Sequence, residues 1–475
     1  MTSFRLAAGG RVDRGKPLRF SFDGRPYMGL AGDTLASALL ANGVHLVGRS
    51  FKYHRPRGIL SAGSDEPNAL VGVGSEPRFT PNLRATQVEL HEGLVAQTQN
   101  RWPSLGYDLG AVNDILSPLF PAGFYYKTFM WPKSAWKRLY EPKIRAMAGL
   151  GIAPTSADPD RYAQRYAHCD VLVVGAGPSG IAAALAAEAH GARVILCDEQ
   201  AELGGSLLAE TSAVIEGKQA TAWLADTLAK LSPSGSVTLL PRTTAFGYFA
   251  HNMLGLAERL GDHLPDHGEG HPRERVWQVR AKEVVLATGA HERPLVFPDN
   301  DRPGIMLADA ARIYATRYGV RPGTKAVIAT AHDEAYRAAI DLAAAGVAVA
   351  AIVDLREEVE GPLPEQARAA GLRLLKAHTV CATAGRRRLS SVEVAYRRSD
   401  GSLGKRERIA CDLLAMCGGF TPSIHLFSQS RGRPRFEARL NAFLPDISAE
   451  RERSAGACRG EVDRRPIGLV MGRGD

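Results

Sequence analysis

Cysteine is scarce and scattered in this chain: six in 475 residues, at positions 169, 197, 381, 411, 417 and 458. None forms a C-x-x-C, which excludes a thioredoxin-reductase-type disulfide and the familiar zinc patterns. Sparse use fits a reducing compartment, and Cys169 and Cys197, which flank or end apolar runs, read as small hydrophobes. Long apolar runs are missing too. No stretch is apolar enough to span a bilayer and the N-terminus has no signal-type apolar core, so the chain reads as cytoplasmic with no membrane partner. Positive charge is only modestly in excess, at +9, and gathers in Arg386-Arg387-Arg388, Lys405-Arg406 and the tail after Arg431. Those runs read as solvated turns, and no nucleic-acid partner is expected because no basic stripe interleaves with aromatics. What remains is ordinary: 45% hydrophobic and 23% charged residues, in a length that suits two or three domains.

One stretch organises the rest. Val171 to Val174 is a short apolar run that reads as a buried strand. It leads into Gly175-Ala176-Gly177-Pro178-Ser179-Gly180, a G-x-G-x-x-G turn. Gly175 permits the tight turn, Gly177 lets a pyrophosphate approach the backbone, and Gly180 lets helix pack on strand. A helix follows from Ile181 to Ala189, then a second strand from Val194 to Cys197. Asp198 closes that strand, near the 20-residue spacing expected of a carboxylate that holds a ribose 2′-OH. A carboxylate there repels a 2′-phosphate, so NAD or FAD is favoured over NADP. A glycine-rich turn with no ligand would have to treat Asp198 as coincidence. Leu203-Gly204-Gly205 supplies a second glycine-rich turn beside the first.

Elsewhere the patterning is just as local. Residues 20–28 alternate around Asp23-Gly24 and read as a β-hairpin; Asp33 then caps a helix with apolar face Leu35, Ala38 and Leu39 that Gly43 stops. Hairpin plus helix is how plant-type ferredoxin β-grasp domains begin, but the loop Arg57–Arg78 holds none of the cysteines that bind a [2Fe-2S] cluster, so no iron is expected. Two strands are expected between Thr86 and Gln99, around a turn containing His91. Residues 101–166 crowd aromatics among prolines, including Trp102, Phe120, Phe124, Tyr125, Tyr126, Phe129, Trp131, Trp136 and Tyr140, and read as a segment wrapped over a surface. Further on, 283–289 reads as a strand ending in Ala-Thr-Gly, and Lys325 opens a second βαβ unit. Its turn, Thr330-Ala331-His332-Asp333-Glu334-Ala335, has no glycine; side chains and two carboxylates would crowd a pyrophosphate, so this module is expected to bind no nucleotide. Cys411 to Met416 reads as a strand returning to the first module. His291-Glu292-Arg293 reads as a turn leaving the sheet, with Arg293 pairing a carboxylate or a flavin phosphate, in preference to an acid–base centre.

The strings Gly175–Gly180, Asp198-Glu199, 242–248 (RTTAFGY), 287–294 (ATGAHERP), 301–304 (DRPG), 425–429 (HLFSQ) and 48–58 (GRSFKYHRPRG) resemble the alpha subunit of heterotetrameric sarcosine oxidase, from about residue 15 to about 458. The resemblance implies partners, the beta, gamma and delta subunits. It implies oxidation of sarcosine to glycine on FAD of the beta subunit, oxygen reduced to hydrogen peroxide, and the methyl carbon passed to tetrahydrofolate. It also implies FMN at the alpha–beta interface and NAD in the alpha subunit, contacted at positions that match Ser179, Asp198, Glu199, Ser206 and Ala245. No catalytic residue and no metal ligand is expected in this chain. The family's alpha subunit is about twice as long, with a folate-binding second half; here Ser454–Cys458 is followed by a short Arg- and Gly-rich tail. On that comparison the chain reads as shortened, without folate binding and without the family's further NAD contacts. The alternatives are a subunit of a related amine, opine or proline dehydrogenase, a stand-alone FAD-dependent oxidoreductase, and a non-enzymatic scaffold.

The expected architecture is α/β: a two-dinucleotide-binding-domain, flavoprotein-like (Rossmann-type) fold with an N-terminal ferredoxin-like β-grasp domain lacking cluster cysteines. Residues 1–100 are the β-grasp domain, 101–166 the wrapping segment, 167–295 with 411–460 the NAD-binding domain, 296–410 the degenerate module, and 461–475 a basic tail.

Overall fold

A computed structural model describes residues 4–461 except 120–122, 124–130, 147–148, 233, 267 and 269. Five of the aromatics of the wrapping segment (Phe120, Phe124, Tyr125, Tyr126, Phe129) and nearly all of the basic tail thus lie outside the described residues. The chain forms two units, Met1–Pro159 with Pro294–Gly418, and Asp160–Arg293 with the chain from Gly419 onward.

In the first unit, Asp13–Phe22 and Arg25–Ala31 pair antiparallel with Phe22 opposite Arg25. Asp23 and Gly24 both have positive φ, 51° and 74°, the type I′ geometry that matches strand twist. Leu18, Phe20 and Phe22 are buried on one face of this pair, and every residue of the helix Leu35–Ala41 is buried. Leu94–Thr98, Leu70–Val73 and Thr80–Arg84 complete a five-stranded sheet. The helix cap differs from expectation: Thr34 is the N-cap, in a reciprocal pair with Ser37. Asp33 instead accepts from the Ser37 hydroxyl and the Leu30 amide. The strand expected from Thr86 does not form. The carbonyls of Ala85 and Val88 accept the otherwise orphaned amides of Ala36 and Leu35 at the helix start, so this backbone serves the helix rather than the sheet. In the segment expected to wrap a surface, the described residues make short helical turns, and Trp102 and Trp131 are exposed (65% and 83%).

The same unit holds a parallel sheet in the order Ile305–Leu307, Leu413–Cys417, Lys325–Thr330, Ala348–Asp354, Leu374–Lys376. The strand expected to return to the glycine-turn domain at 411 therefore sits second in this sheet. Its run of apolar residues suits any buried parallel strand, and the changeover falls after Gly418.

The second unit is built on two long strands, Arg161–Val174 and Pro272–Leu286, paired in parallel along most of their length. Their C-terminal halves join Val194–Cys197, Val237–Leu240 and Glu452–Ser454 in a parallel array. The N-terminal half of Pro272–Leu286 pairs antiparallel with Met253–Arg259, which pairs with Thr243–Phe249. Side chains alternate between two cores: Val173 and Leu196 pack with Ile181, Ala184 and Trp223, while Leu172, Val174, Ile195 and Cys197 pack with Leu254, Trp277 and Phe427. The first strand starts ten residues before its expected position at Val171, because exposed Tyr162 and Tyr166 break the apolar pattern.

Candidate dinucleotide site

The strand ending at Val174 and the helix Pro178–Ala189 hold the glycine turn between them. Gly175 has φ +98°, and a Cβ there would lie 2.3 Å from the Ala287 carbonyl oxygen. A Cβ on Gly180 would lie 1.8 Å from the Gly175 oxygen. Both glycines are therefore demanded by the protein's own packing. Gly177 is different. Its φ of −74° suits any residue and a Cβ would meet nothing within 4 Å. Neither conformation nor packing calls for glycine there, and the open space over its backbone is where a pyrophosphate fits. No side chain caps the helix that starts at Pro178, so its first amides remain for an anion. Ser179 is the second residue of that helix and is half-buried.

Asp198 stands at the end of Val194–Cys197 and its carboxylate is fixed toward the turn. One oxygen accepts the Ala176 amide at 2.7 Å, the other the Gln200 amide at 2.8 Å. Glu199 is half-buried beside it, with its carbonyl oxygen bonded by Arg259. The Gly204-Gly205 turn packs onto the first turn: the Gly204 amide donates to the Ala176 oxygen, and a Cβ on Gly205 would lie 2.8 Å from Gly177 Cα. Ser206 follows on the exposed side of the short helix Gly205–Ala209. Ala245 lies on Thr243–Phe249, whose first amide donates to the Asp198 carbonyl. Its methyl packs against the Leu254 and Trp277 core, so only its main chain is available to a ligand. The structure thus gathers Gly175, Gly177, Ser179, Gly180, Asp198 and Glu199 around one turn, with Ser206 and Ala245 on flanking elements.

One contributor escaped the sequence reading. Glu452–Ser454 pairs with Val284–Leu286, and the following turn brings Gly456 so near that a Cβ would lie 2.3 Å from Ser179 Oγ. The Cys458 thiol donates to the Leu286 oxygen at 2.9 Å. The signal was the small-residue run Ala455-Gly456-Ala457-Cys458, which local patterning cannot place. Arg293 also differs from expectation: it donates to the carbonyls of Leu440 and Asn441. The expected carboxylate partner is replaced by main chain because Ala290–Glu292 pairs with Phe420–Pro422 and turns the arginine toward that loop.

Burial pushes the thiols of Cys169, Cys197 and Cys411 up to about 12, so these three stay protonated near neutral pH. In the other unit the Arg- and aromatic-rich stretch Gly48–Arg57 lines an open cavity of about 440 Å³ with Asn68 and Asn100. Its arginines are engaged within the protein, Arg49 with the Leu105 carbonyl and Arg55 with Asp299 and Asp301.

Residues 169–442 match the family described as pyridine nucleotide-disulphide oxidoreductase. The chain belongs to that family. Residues 15–101 match the 2Fe-2S iron-sulfur cluster binding domain family. The chain is also homologous to the sarcosine oxidase subunit alpha of Rhizobium meliloti (strain 1021), 52% identical over 99% of this chain, and to that of Corynebacterium sp. (strain P-1), 40% identical over 97%. It spans about half the length of these relatives, 47% and 44%. Among solved structures, L-proline dehydrogenase from P. horikoshii shares the fold, with a TM-score of 0.61 at 18% identity over 94% of this chain and 69% of that one. The family fold carries a nucleotide cofactor, and the glycine turn fits one. Iron fits poorly: residues 15–101 contain no cysteine, so the thiolates that hold such a cluster are not supplied. No helix among the described residues is long and apolar enough to cross a membrane.

Proposed function

We propose that this chain is the NAD-binding alpha component of a sarcosine-oxidase-like complex, with the amine oxidised elsewhere in the assembly. The observation that carries the reading is 52% identity to a sarcosine oxidase alpha subunit along nearly the whole chain, with the glycine turn and Asp198 in place. The partners are beta, gamma and delta subunits; the beta subunit carries FAD, and FMN lies at its interface with this chain. In that complex the N-methyl group of sarcosine is oxidised, two electrons reduce oxygen to hydrogen peroxide, and the methyl carbon passes to tetrahydrofolate. The NAD bound by this chain is not the oxidant of that turnover. This chain's own work is recognition: Gly177 leaves room for the pyrophosphate, the start of the helix Pro178–Ala189 offers amides, and Asp198 with Glu199 favours ribose hydroxyls over a 2′-phosphate. Gly456 and Ser206 border the same turn.

The test is denaturing release of the nucleotide that co-purifies with the chain, followed by chromatography. NAD without flavin is expected. FAD would move flavin chemistry into this chain and replace the proposal with a stand-alone oxidoreductase; an empty protein that also fails to take up added NAD would overturn it in favour of a scaffold.

A further inference from the structure

The ferredoxin-type loop lacks cysteine, yet it keeps the register of a cluster site. Plant-type clusters are held by C-x4-C-x2-C and a later fourth cysteine. Here Ser61, Glu66 and Ala69 stand at that spacing. Thr86 comes to the same loop from beyond the next two strands, its hydroxyl donating to the Gly63 carbonyl at 2.7 Å. All four side chains are buried, with relative exposures of 1%, 1%, 0% and 4%. The loop is also wound as an anion nest. The amides of Leu60 and Ser61 donate to one oxygen of Glu66, at 2.7 and 2.8 Å, and those of Asn68 and Ala69 to the other, at 2.7 and 3.0 Å. Convergent backbone amides of this kind are how proteins hold anions, iron–sulfur clusters among them.

Four donors on two oxygens match the acceptor capacity of an ionised carboxylate, which has no hydrogen to offer. Burial leaves the pKa of Glu66 raised, and the four amide bonds offset part of that rise. The rest of the loop is held from outside: the Tyr314 hydroxyl donates to the Ser61 carbonyl at 2.8 Å and the Leu307 amide to that of Leu60 at 2.9 Å. The frame thus stands on contacts that do not involve metal.

We infer that the loop Ser61–Ala69 is a cluster site in which the Glu66 carboxylate has taken the cluster's place as the central anion, so that the N-terminal module is a redox-silent scaffold whose metal site is latent in its backbone. Four thiolates at positions 61, 66, 69 and 86 would restore it. Two ferric ions and two sulfides would then bind as the four thiols release their protons to solvent, with no oxidant or reductant needed.

Two measurements on the full chain test this. Amide hydrogen exchange should show Leu60, Ser61, Asn68 and Ala69 strongly protected, with Glu66→Ala raising their exchange at least tenfold and Glu66→Gln, which keeps one acceptor oxygen, by less. Equal protection in Glu66→Ala would overturn the carboxylate's role. Separately, the variant S61C/E66C/A69C/T86C, incubated without oxygen with ferric iron and sulfide, should take up two irons and two sulfides per chain. It should also show a visible absorption that one electron from dithionite bleaches. Wild type, treated alike, should take up none. A folded quadruple variant with no cluster, or wild type loading equally, would overturn the latent site; if the variant does not fold, the exchange experiment still decides the role of Glu66.

Discussion

The two βαβ modules of this chain share a strand–turn–helix–strand plan and end in opposite chemistry. In the first, the helix start at Pro178 has no side-chain cap, Gly177 faces open space, and Asp198 is held by two amides. In the second, Lys325–Thr330 turns through Thr330–Ala335 into the helix Glu334–Ala344. There the protein has filled its own anion site. Asp333 stands at the helix start with its carboxylate 2.8 Å from Arg356, and the Thr330 hydroxyl closes the turn onto the His332 carbonyl at 2.7 Å. Asp354 occupies the strand-end position that Asp198 has in the first module. It accepts from the Tyr336 hydroxyl and from Arg356, both at 2.7 Å. The surrounding carboxylates raise the pKa of Arg356 and hold it as a cation. A ribose hydroxyl would compete with an arginine for Asp354, and a pyrophosphate with Asp333. The difference teaches that a nucleotide-module fold can persist while its turn and strand end supply ions of their own.

The largest effect that would sharpen this comparison separates the glycines. Gly180→Ala places a methyl on the Gly175 carbonyl, so unfolding free energy should fall by about 3 kcal/mol and nucleotide should be lost with it. Gly177→Ala should cost under about 1 kcal/mol while weakening nucleotide binding at least tenfold. Denaturant melts beside a binding titration would read both. Equal behaviour of the two variants would break the argument that Gly177 is kept for a ligand.

The acids come next. Asp354→Asn strips Tyr336 and Arg356 of their buried partner and should lower stability by about 2 kcal/mol without changing nucleotide content. Asp198→Asn should shift the NAD to NADP preference about tenfold toward NADP, because the repelling charge is gone. If Asp354→Asn changed nucleotide content instead, the second module would not be silent.

Acid should also distinguish the unit that carries the second module. His45 is buried there with Arg388 and Asp412 nearby, and burial with Arg388 lowers its pKa from 6.5 to about 3. The neutral ring is therefore favoured in the fold while the unfolded chain protonates near 6.5. The stability it contributes is complete above pH 6.5 and is lost as pH falls toward 3, by up to about 1.4 kcal/mol per pH unit. Denaturant midpoints at pH 7, 5 and 4 should show that slope, and His45→Gln should flatten it.

How much could be read in advance follows the same division. The glycine turn, Asp198 and the missing cysteines were legible because each is a local pattern with a single physical meaning. That the second turn lacks glycine was legible, but its ion network was not, since Arg356 reaches Asp333 only once two strands lie side by side. Gly456 meets Ser179 across most of the domain's sequence, and nothing local marks it. Leu413–Cys417 is buried at every residue, so its composition could not say which sheet it joins. The capping of Leu35 by Val88 likewise depends on a loop more than fifty residues away.

The smallest expected effect concerns the thiols, and it bears on both modules at once. Cys197 ends the second strand of the first module and Cys411 precedes Leu413–Cys417, the second strand in order across the other sheet; burial pushes both up to about 12. At pH 8 about one in ten thousand of either thiol would be ionised, and the thiolate is the reacting form. Native alkylation should therefore leave both unmodified over a time in which the denatured chain reacts completely, as peptide mass spectrometry would read. Rapid labelling of Cys411 alone would mean that the second sheet opens more readily than the first. The two modules would then differ in rigidity as well as in charge, and the silence of the second would no longer rest on its ions alone.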